Sequence, residues 1–149
     1  MEKVLPKRKN PRLKGFDYSS PNYYFITICT FEKKCIFWEN GSLNLWGKIA
    51  VEGIENIPKH FPMAEVNHYV VMPNHIHMIL VLKEGSSSLS HIVGSYKAYI
   101  SKKIHQEKLW QRSFHDHIIR NQKSYEKIWN YVENNQLKWE EDCFYSNLI

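Results

Sequence analysis

Segments that favour strands recur along the chain as runs of β-branched and aromatic residues. Residues 23–30 form a run typical of a strand that is buried on both faces. Residues 66–72 and 75–82 form two further runs with a Pro-Asn pair between them, which predicts a hairpin with a tight turn. Residues 114–119 predict a fourth strand.

Helical periodicity appears in three places between and after these strands. Residues 45–57 carry apolar side chains at helical spacing, and Pro58 follows as a residue that ends helices. Residues 89–104 keep the apolar period of an amphipathic helix, with polar residues on the other face. A last helix is predicted from Ser124, which can act as its N-cap, to about Gln136.

The order of these elements is strand, helix, strand, strand, helix, strand and a further helix. This order matches the split β-α-β arrangement, so we expect an α+β fold: a ferredoxin-like antiparallel sheet with helices packed on one face. A length of 149 residues fits one ordinary domain, and we expect a single domain over residues 1–149.

Positive charge is concentrated in two segments of the chain, whose formal net charge is +5. Residues 1–14 hold six basic residues against one acidic residue and form a basic arm. Residues 97–123 hold seven basic residues against two acidic ones. Such segments suit a phosphate backbone, although a solvated helix face and a lysine-rich terminus explain the same counts equally well.

Cysteine usage and hydropathy exclude several classes of protein. Three cysteines without a C-x-x-C pair argue against a disulfide framework and against a structural zinc site. The first residues lack the apolar core of a signal peptide, and no apolar run approaches the ~20 residues that span a bilayer. We therefore expect a soluble cytoplasmic protein.

Two histidines form the sharpest local motif. His75 and His77 lie two apart in a predicted strand, so their side chains project from the same face and can share one metal ion. Ile76 between them points to the opposite face. Histidine pairs also occur without a metal, so the motif requires further ligands.

The last predicted helix supplies a second set of candidates. At 100° per residue its core-facing stripe consists of Tyr125, Ile128, Trp129, Val132 and Gln136. Tyr131 and Asn135 lie one turn apart on the flank of that stripe. A phenol beside an amide oxygen suits a nucleophile next to a metal ligand, whereas a tyrosine at the rim of a helix also serves simply to bury its ring.

In four segments the chain resembles the HUH single-tyrosine transposases, in particular the REP-associated tyrosine transposases. The segments, in chain order, are residues 12–15 with 24–30, residues 71–77, residues 110–120, and residues 131–135 with Lys138 and Trp139. Together they span nearly the whole chain. One departure is Gln136, which stands where the family usually has proline.

The resemblance implies a role for each candidate residue. His75 and His77 would be the metal-binding histidines of an HUH motif on a central strand, Asn135 would complete the metal site, and Tyr131 would be the nucleophile. The implied cofactor is Mg²⁺ or Mn²⁺, which accept nitrogen and oxygen ligands with open positions. The implied activity is a transposase that cuts and rejoins single-stranded DNA through a 5′-phosphotyrosine.

The resemblance also implies the partners of the protein. These are single-stranded or hairpin DNA and a second copy of the chain in a homodimer, to which the tyrosine helix can be contributed in trans, inside a bacterial cytoplasm. Six basic residues are the candidate DNA contacts: Arg12, Lys14, Lys102, Lys103, Arg112 and Arg120.

Two alternatives remain open from the residues. One is a zinc-dependent hydrolase in which His75 and His77 join His115 or His117 to activate water. The other is a protein that binds hairpin DNA and does not cut it.

Overall fold

A four-stranded antiparallel sheet forms the centre of the computed structural model, which describes residues 22–141. The elements in chain order are β1 (Asn22–Cys29), β2 (Trp38–Glu39), β3 (Ser42–Leu43), α1 (Leu45–Glu55), α2 (Ile57–His60), β4 (Ala64–Val71), β5 (His75–Leu82), α3 (Leu89–Ile104), β6 (His115–Ile119) and α4 (Gln122–Asn134). Short 3-10 helices cover Phe31–Lys33 and Asn135–Glu141. The predicted basic arm, with Arg12 and Lys14, lies outside the described residues.

The strand order in the sheet is β4-β5-β1-β6, with every neighbouring pair antiparallel. The histidine-bearing strand β5 is therefore central, as expected. Together with the helices that pack on the sheet, this order confirms the predicted α+β class. No helix within residues 22–141 is long and apolar enough to cross a membrane.

One face of the sheet carries the main hydrophobic core. Alternate residues of β1 and β5 point to this face and are buried: Tyr24, Ile26, Ile28, Ile76, Met78 and Leu80. Helices α1 and α3 cover them and pack against each other, and the hydroxyl of Tyr96 on α3 donates to the carbonyl of Ala50 on α1 at 2.9 Å. The apolar periods of the two helices produce this layer because each helix has one stripe to bury.

Helix α4 lies on the opposite face of the sheet. Its Val132 is buried against Val70 and Met72, with Phe25 and Ile128 packed around them. The expectation that helices occupy one face holds for α1 and α3 but not for α4. The physical reason is the alternation of the strands, which leaves Phe25 and the histidines on a second face that the apolar stripe of α4 covers.

Several boundaries differ from the sequence-based expectation. Pro58 stands in the first turn of α2 rather than ending a helix, a position where its missing N–H costs nothing. The N-cap of α4 is Asn121 rather than Ser124, and its Oδ1 accepts from the backbone N–H of Ser124 at 2.8 Å.

The short β2–β3 hairpin turns at Asn40 and Gly41, which both have positive φ as its two-residue turn requires.

Candidate active site

The two histidines of β5 share one face of the sheet. His75 and His77 are 0% and 1% exposed, and their ring centroids lie 4.6 Å apart with planes at 71°. Ile76 between them is buried in the main core on the other side. The strand alternation therefore brings the two imidazoles together as predicted.

Hydrogen bonding selects the tautomer of His75. Asn74 Nδ2 donates to the carbonyl of Lys33 at 3.3 Å, which turns Asn74 Oδ1 toward His75 Nδ1 at 2.8 Å. Because an amide oxygen only accepts, His75 Nδ1 carries a hydrogen, and in the neutral tautomer that this contact selects the lone pair is on Nε2. A neutral imidazole oriented in this way is a standard metal ligand.

His77 is held by side chains of β1 and of the last helix. Its Nδ1 lies 2.8 Å from the hydroxyl of Thr27, its register partner on β1. Phe25 stacks on its ring with centroids 5.2 Å apart. Its Nε2 faces the hydroxyl of Tyr131 at 3.4 Å, at the long end of hydrogen-bond distance.

Tyr131 reaches this pair from α4. Its ring packs edge-on against Phe25, with centroids 6.2 Å apart, and lies 5.2 Å from the ring of His77. The side chain is nevertheless 40% exposed. The phenol therefore stands at the mouth of the site, where a large substrate can approach it.

Asn135 follows the last residue of α4, one turn beyond Tyr131, and is only 2% exposed. Its Oδ1 is buried and has no hydrogen-bond partner among the described residues. An amide oxygen left in that state costs roughly 1–3 kcal/mol, so a cation or donor at this position would be stabilising.

The burial of Asn135 corrects the stripe expected for the last helix. Gln136, placed in the core by a constant 100° rotation, is exposed, and Asn135 takes the buried position instead. The reason is the change to a 3-10 helix after Asn134, because residues three apart are eclipsed in that geometry. Asn135 therefore follows the buried Val132.

Tyr125, the other tyrosine of α4, does not sit in the middle of a buried stripe either. It is half-buried, its ring packs edge-on against Tyr23 with centroids 5.7 Å apart, and its hydroxyl donates to Asn67 on β4. Its hydroxyl is thus committed away from the histidines.

Sequence reasoning missed two tryptophans that border the site. Trp139 stacks on His75 with centroids 6.2 Å apart and lies 6.4 Å from Trp38, whose Nε1 donates to the carbonyl of Val71 at 2.9 Å. In the sequence Trp139 is marked only by the family resemblance. A strand of two residues such as β2 gives no periodicity from which the place of Trp38 could be derived.

The third histidine that the zinc-hydrolase alternative needs is not brought to the pair. His115 on β6 pairs with Thr27, which in turn pairs with His77, so β1 separates the two histidines by about two strand spacings, roughly 10 Å. His117 pairs with Phe25, two residues further along the strands. Within residues 22–141 no three His, Cys, Asp or Glu side chains are placed to hold one metal ion.

The basic candidates of the described chain do not form one cluster. Lys102 and Lys103 are exposed in the last turn of α3, on the face of the sheet opposite the histidines. Arg112 and Arg120 are exposed before and after β6, and so at opposite ends of that strand. The geometry therefore leaves the DNA contacts a prediction.

Two solved structures of transposases have a fold similar to that of this chain. A solved structure of a REP-associated tyrosine transposase bound to a REP hairpin superposes with a TM-score of 0.71 at 23% identity, covering 85% of this chain and 73% of that one. A candidate transposase of Deinococcus radiodurans R1 superposes with a TM-score of 0.53 at 16% identity, covering 83% of this chain and 97% of that one. The fold is therefore that of these transposases.

Sequence comparison then names the relatives. An uncharacterized protein of Haemophilus influenzae is 33% identical, with 93% of each chain covered, and this chain belongs to the same family. The REP-associated tyrosine transposase of Escherichia coli K12 is 34% identical over 74 residues, which are 50% of this chain and 45% of that protein. No protein-family model matches the chain. The resemblance to REP-associated tyrosine transposases is thus confirmed.

Proposed function

We propose that the protein is a transposase of the HUH type, a metal-dependent enzyme that nicks and rejoins single-stranded DNA with Tyr131 as its nucleophile. The observation that carries this proposal is the meeting of Tyr131 and His77, with the phenol oxygen 3.4 Å from Nε2. The relatives named as REP-associated tyrosine transposases support the same class of reaction.

A divalent metal fits the donor set of the site. Asn74 accepts from Nδ1 of His75, so the neutral form of this imidazole has its lone pair on Nε2. His77 lies beside it, and Asn135 Oδ1 is a buried oxygen without a donor among the described residues. We propose that these three residues hold Mg²⁺ or Mn²⁺. The ion would supply charge neutralisation and orientation for a scissile phosphate.

The residues of the chain account for the remaining chemistry. The oxygen of Tyr131 attacks phosphorus and loses its proton to solvent, since the side chain is 40% exposed. The bond from phosphorus to the 3′ oxygen breaks, and that oxygen leaves with a proton from water. The products are a 5′-phosphotyrosine and a free 3′-hydroxyl, and attack by a 3′-hydroxyl on the same phosphorus reverses the step without ATP.

A denaturing gel tests the nucleophile directly. Protein incubated with 3′-labelled single-stranded DNA of mixed sequence and Mn²⁺ should give a labelled covalent adduct, whereas a 5′ label should stay on the released fragment with its free 3′-hydroxyl. Mass spectrometry should place the nucleotide on Tyr131. Tyr131→Phe removes one oxygen from a half-exposed ring and should abolish the adduct while DNA binding and thermal stability survive.

Tyr99→Phe is the matched control for that experiment. Tyr99 is also exposed, at 36%, but it lies on α3, on the other face of the sheet. This variant should form adduct as the wild type does. An adduct that persists in Tyr131→Phe would show that Tyr131 is not the nucleophile. Cleavage without any adduct would show that water is the nucleophile.

We propose hairpin DNA with a single-stranded flank as the substrate, because the relative of similar fold was solved with a REP hairpin. Binding should weaken steeply with salt if phosphates are neutralised by basic side chains. Equal affinity for a blunt duplex and for a hairpin with a flank would contradict this choice of substrate.

We also propose a homodimer, as the family resemblance implies, with each site built from one chain. Tyr131 contacts His77 within a single chain, so the tyrosine acts in cis in this arrangement. Mixing Tyr131→Phe with His77→Ala protein should then restore no adduct. Restored adduct would show that the helix is exchanged between subunits, and light scattering would report the dimer itself.

A further inference from the structure

A cleft of about 350 Å³ opens beside the last helix, away from the histidines. Its lining residues come from the start of β1, the end of β6 and the first turns of α4: Tyr23, Ile119, Arg120, Asn121, Gln122 and Tyr125. Tyr23 and Ile119 are register partners, so they stand side by side at one end of the sheet.

The cleft lies on the same face of the sheet as the candidate active site. Tyr23, Phe25 and Thr27 are alternate residues of β1 and therefore project from one face. Thr27 hydrogen-bonds His77, and Phe25 stacks on it and packs against Tyr131. Tyr23 and Thr27 are four residue steps apart along the strand, a distance of about 13 Å that a few unpaired nucleotides cover.

The lining combines an aromatic ring with a cation. The ring of Tyr23 is 42% exposed, and Tyr125 holds it edge-on while its own hydroxyl is fixed by Asn67. Arg120 is exposed beside it and offers a guanidinium that can bind a phosphate. An unpaired base stacks on such a ring whatever its sequence, and a strand needs a cation for its backbone.

We propose that this cleft holds one unpaired nucleotide of the DNA strand, with its base on Tyr23 and its phosphate at Arg120, a few nucleotides from the phosphodiester at Tyr131. The inference rests on the proposed function, because it takes single-stranded DNA as the substrate. It adds a subsite that fixes how far from the cleavage point the strand must stay unpaired.

An abasic scan tests the subsite. The probes are fluorescent hairpin oligonucleotides with mixed-sequence flanks, in which one flank position at a time lacks its base, and anisotropy gives the Kd. One position should weaken binding about ten-fold in the wild-type protein, as the loss of one stacked base predicts. Tyr23→Ala should bind the intact probe about ten-fold more weakly than the wild-type protein does. It should bind the probe that is abasic at that position no more weakly than it binds the intact probe.

Three variants sharpen the scan. Tyr23→Phe keeps the ring and should rescue binding, whereas Tyr99→Ala, a half-exposed tyrosine on the other face, should bind as the wild type does. Arg120→Gln should lower the slope of log affinity against log salt by about one, since one phosphate contact is lost. Melting curves of each variant report folding, and 5-iodouracil at the coupled position should cross-link to Tyr23.

The outcomes separate this subsite from the proposed function. If adduct forms on Tyr131 but folded Tyr23→Ala binds every probe as the wild type does, the subsite is wrong and the function stands. If one position couples to Tyr23 but no adduct forms, the subsite stands and the nucleophile is wrong. A wild-type protein that binds none of the probes overturns both.

Discussion

The two faces of the sheet carry different kinds of order. On the face covered by α1 and α3, side chains such as Ile76 and Met78 are fully buried and apolar. On the α4 face, neighbouring residues of the same strand are polar, and their hydrogen bonds orient His75 and His77. The contrast teaches that one strand can serve stability with its even-numbered residues while two odd-numbered ones, His75 and His77, are available for chemistry.

The largest expected effect comes from breaking that division within β5. Ile76→Ala empties a buried position of the main core and should lower the free energy of unfolding by roughly 2–5 kcal/mol. His77→Ala, one residue on, should destabilise the fold less but abolish the adduct. Urea denaturation and the gel assay measure the two effects. If Ile76→Ala and His77→Ala lowered the free energy of unfolding by similar amounts, the two faces would not differ in their contribution to stability.

Asn135 should behave in the opposite sense to a core residue. Because its buried Oδ1 has no partner among the described residues, Asn135→Leu should raise the stability of the metal-free protein by about 1 kcal/mol. We expect Mn²⁺ to raise the melting temperature of the wild-type protein, and the same change should cancel that rise. Val132→Ala, three residues before it, is the control and should lower stability. A destabilised Asn135→Leu that still responds to Mn²⁺ would exclude the amide as a ligand.

The core face could be predicted from sequence further than the site could. A run of strand-forming residues placed β5, and the 3.6-residue period placed α3 and its buried stripe, because both signals are local. The position of Asn135 required knowing that α4 turns into a 3-10 helix, and the Thr27–His77 contact required the register of β1 against β5. Both depend on long-range packing, which no local period contains. The tautomer of His75 likewise follows only from where Asn74 lies.

Thr27 should affect the metal without touching it. Thr27 is the register partner of His77, and its hydroxyl lies 2.8 Å from His77 Nδ1, where it orients the ring. Thr27→Val keeps the shape of the side chain and removes its oxygen. If His77 binds Mn²⁺ as proposed, we expect the Mn²⁺ affinity to fall about ten-fold, at the low end of the range for a residue that orients a metal ligand. Calorimetry measures the affinity, and Thr27→Ser should recover most of it. Unchanged affinity in Thr27→Val would mean that packing against Phe25 is enough to orient His77.

The smallest effect is expected where α4 meets the edge strand β4. His68 stacks on Trp129 with centroids 4.4 Å apart, and its Nε2 lies 3.0 Å from Glu133 Oε1, close enough to pair although the geometry is not that of a hydrogen bond. The Glu133 side chain is 52% exposed, so solvent screens the pair. Glu133→Gln should therefore lower the free energy of unfolding by less than about 1 kcal/mol, and by less still in high salt.

Trp129→Ala is the comparison variant and removes the stacked ring. It should lower the free energy of unfolding by more, because the helix then loses apolar contact rather than a screened charge. Chemical denaturation of both variants at low and high salt makes the comparison. If Glu133→Gln costs as much as Trp129→Ala and is sensitive to salt, then charge rather than stacking holds the helix that carries Tyr131 against the sheet.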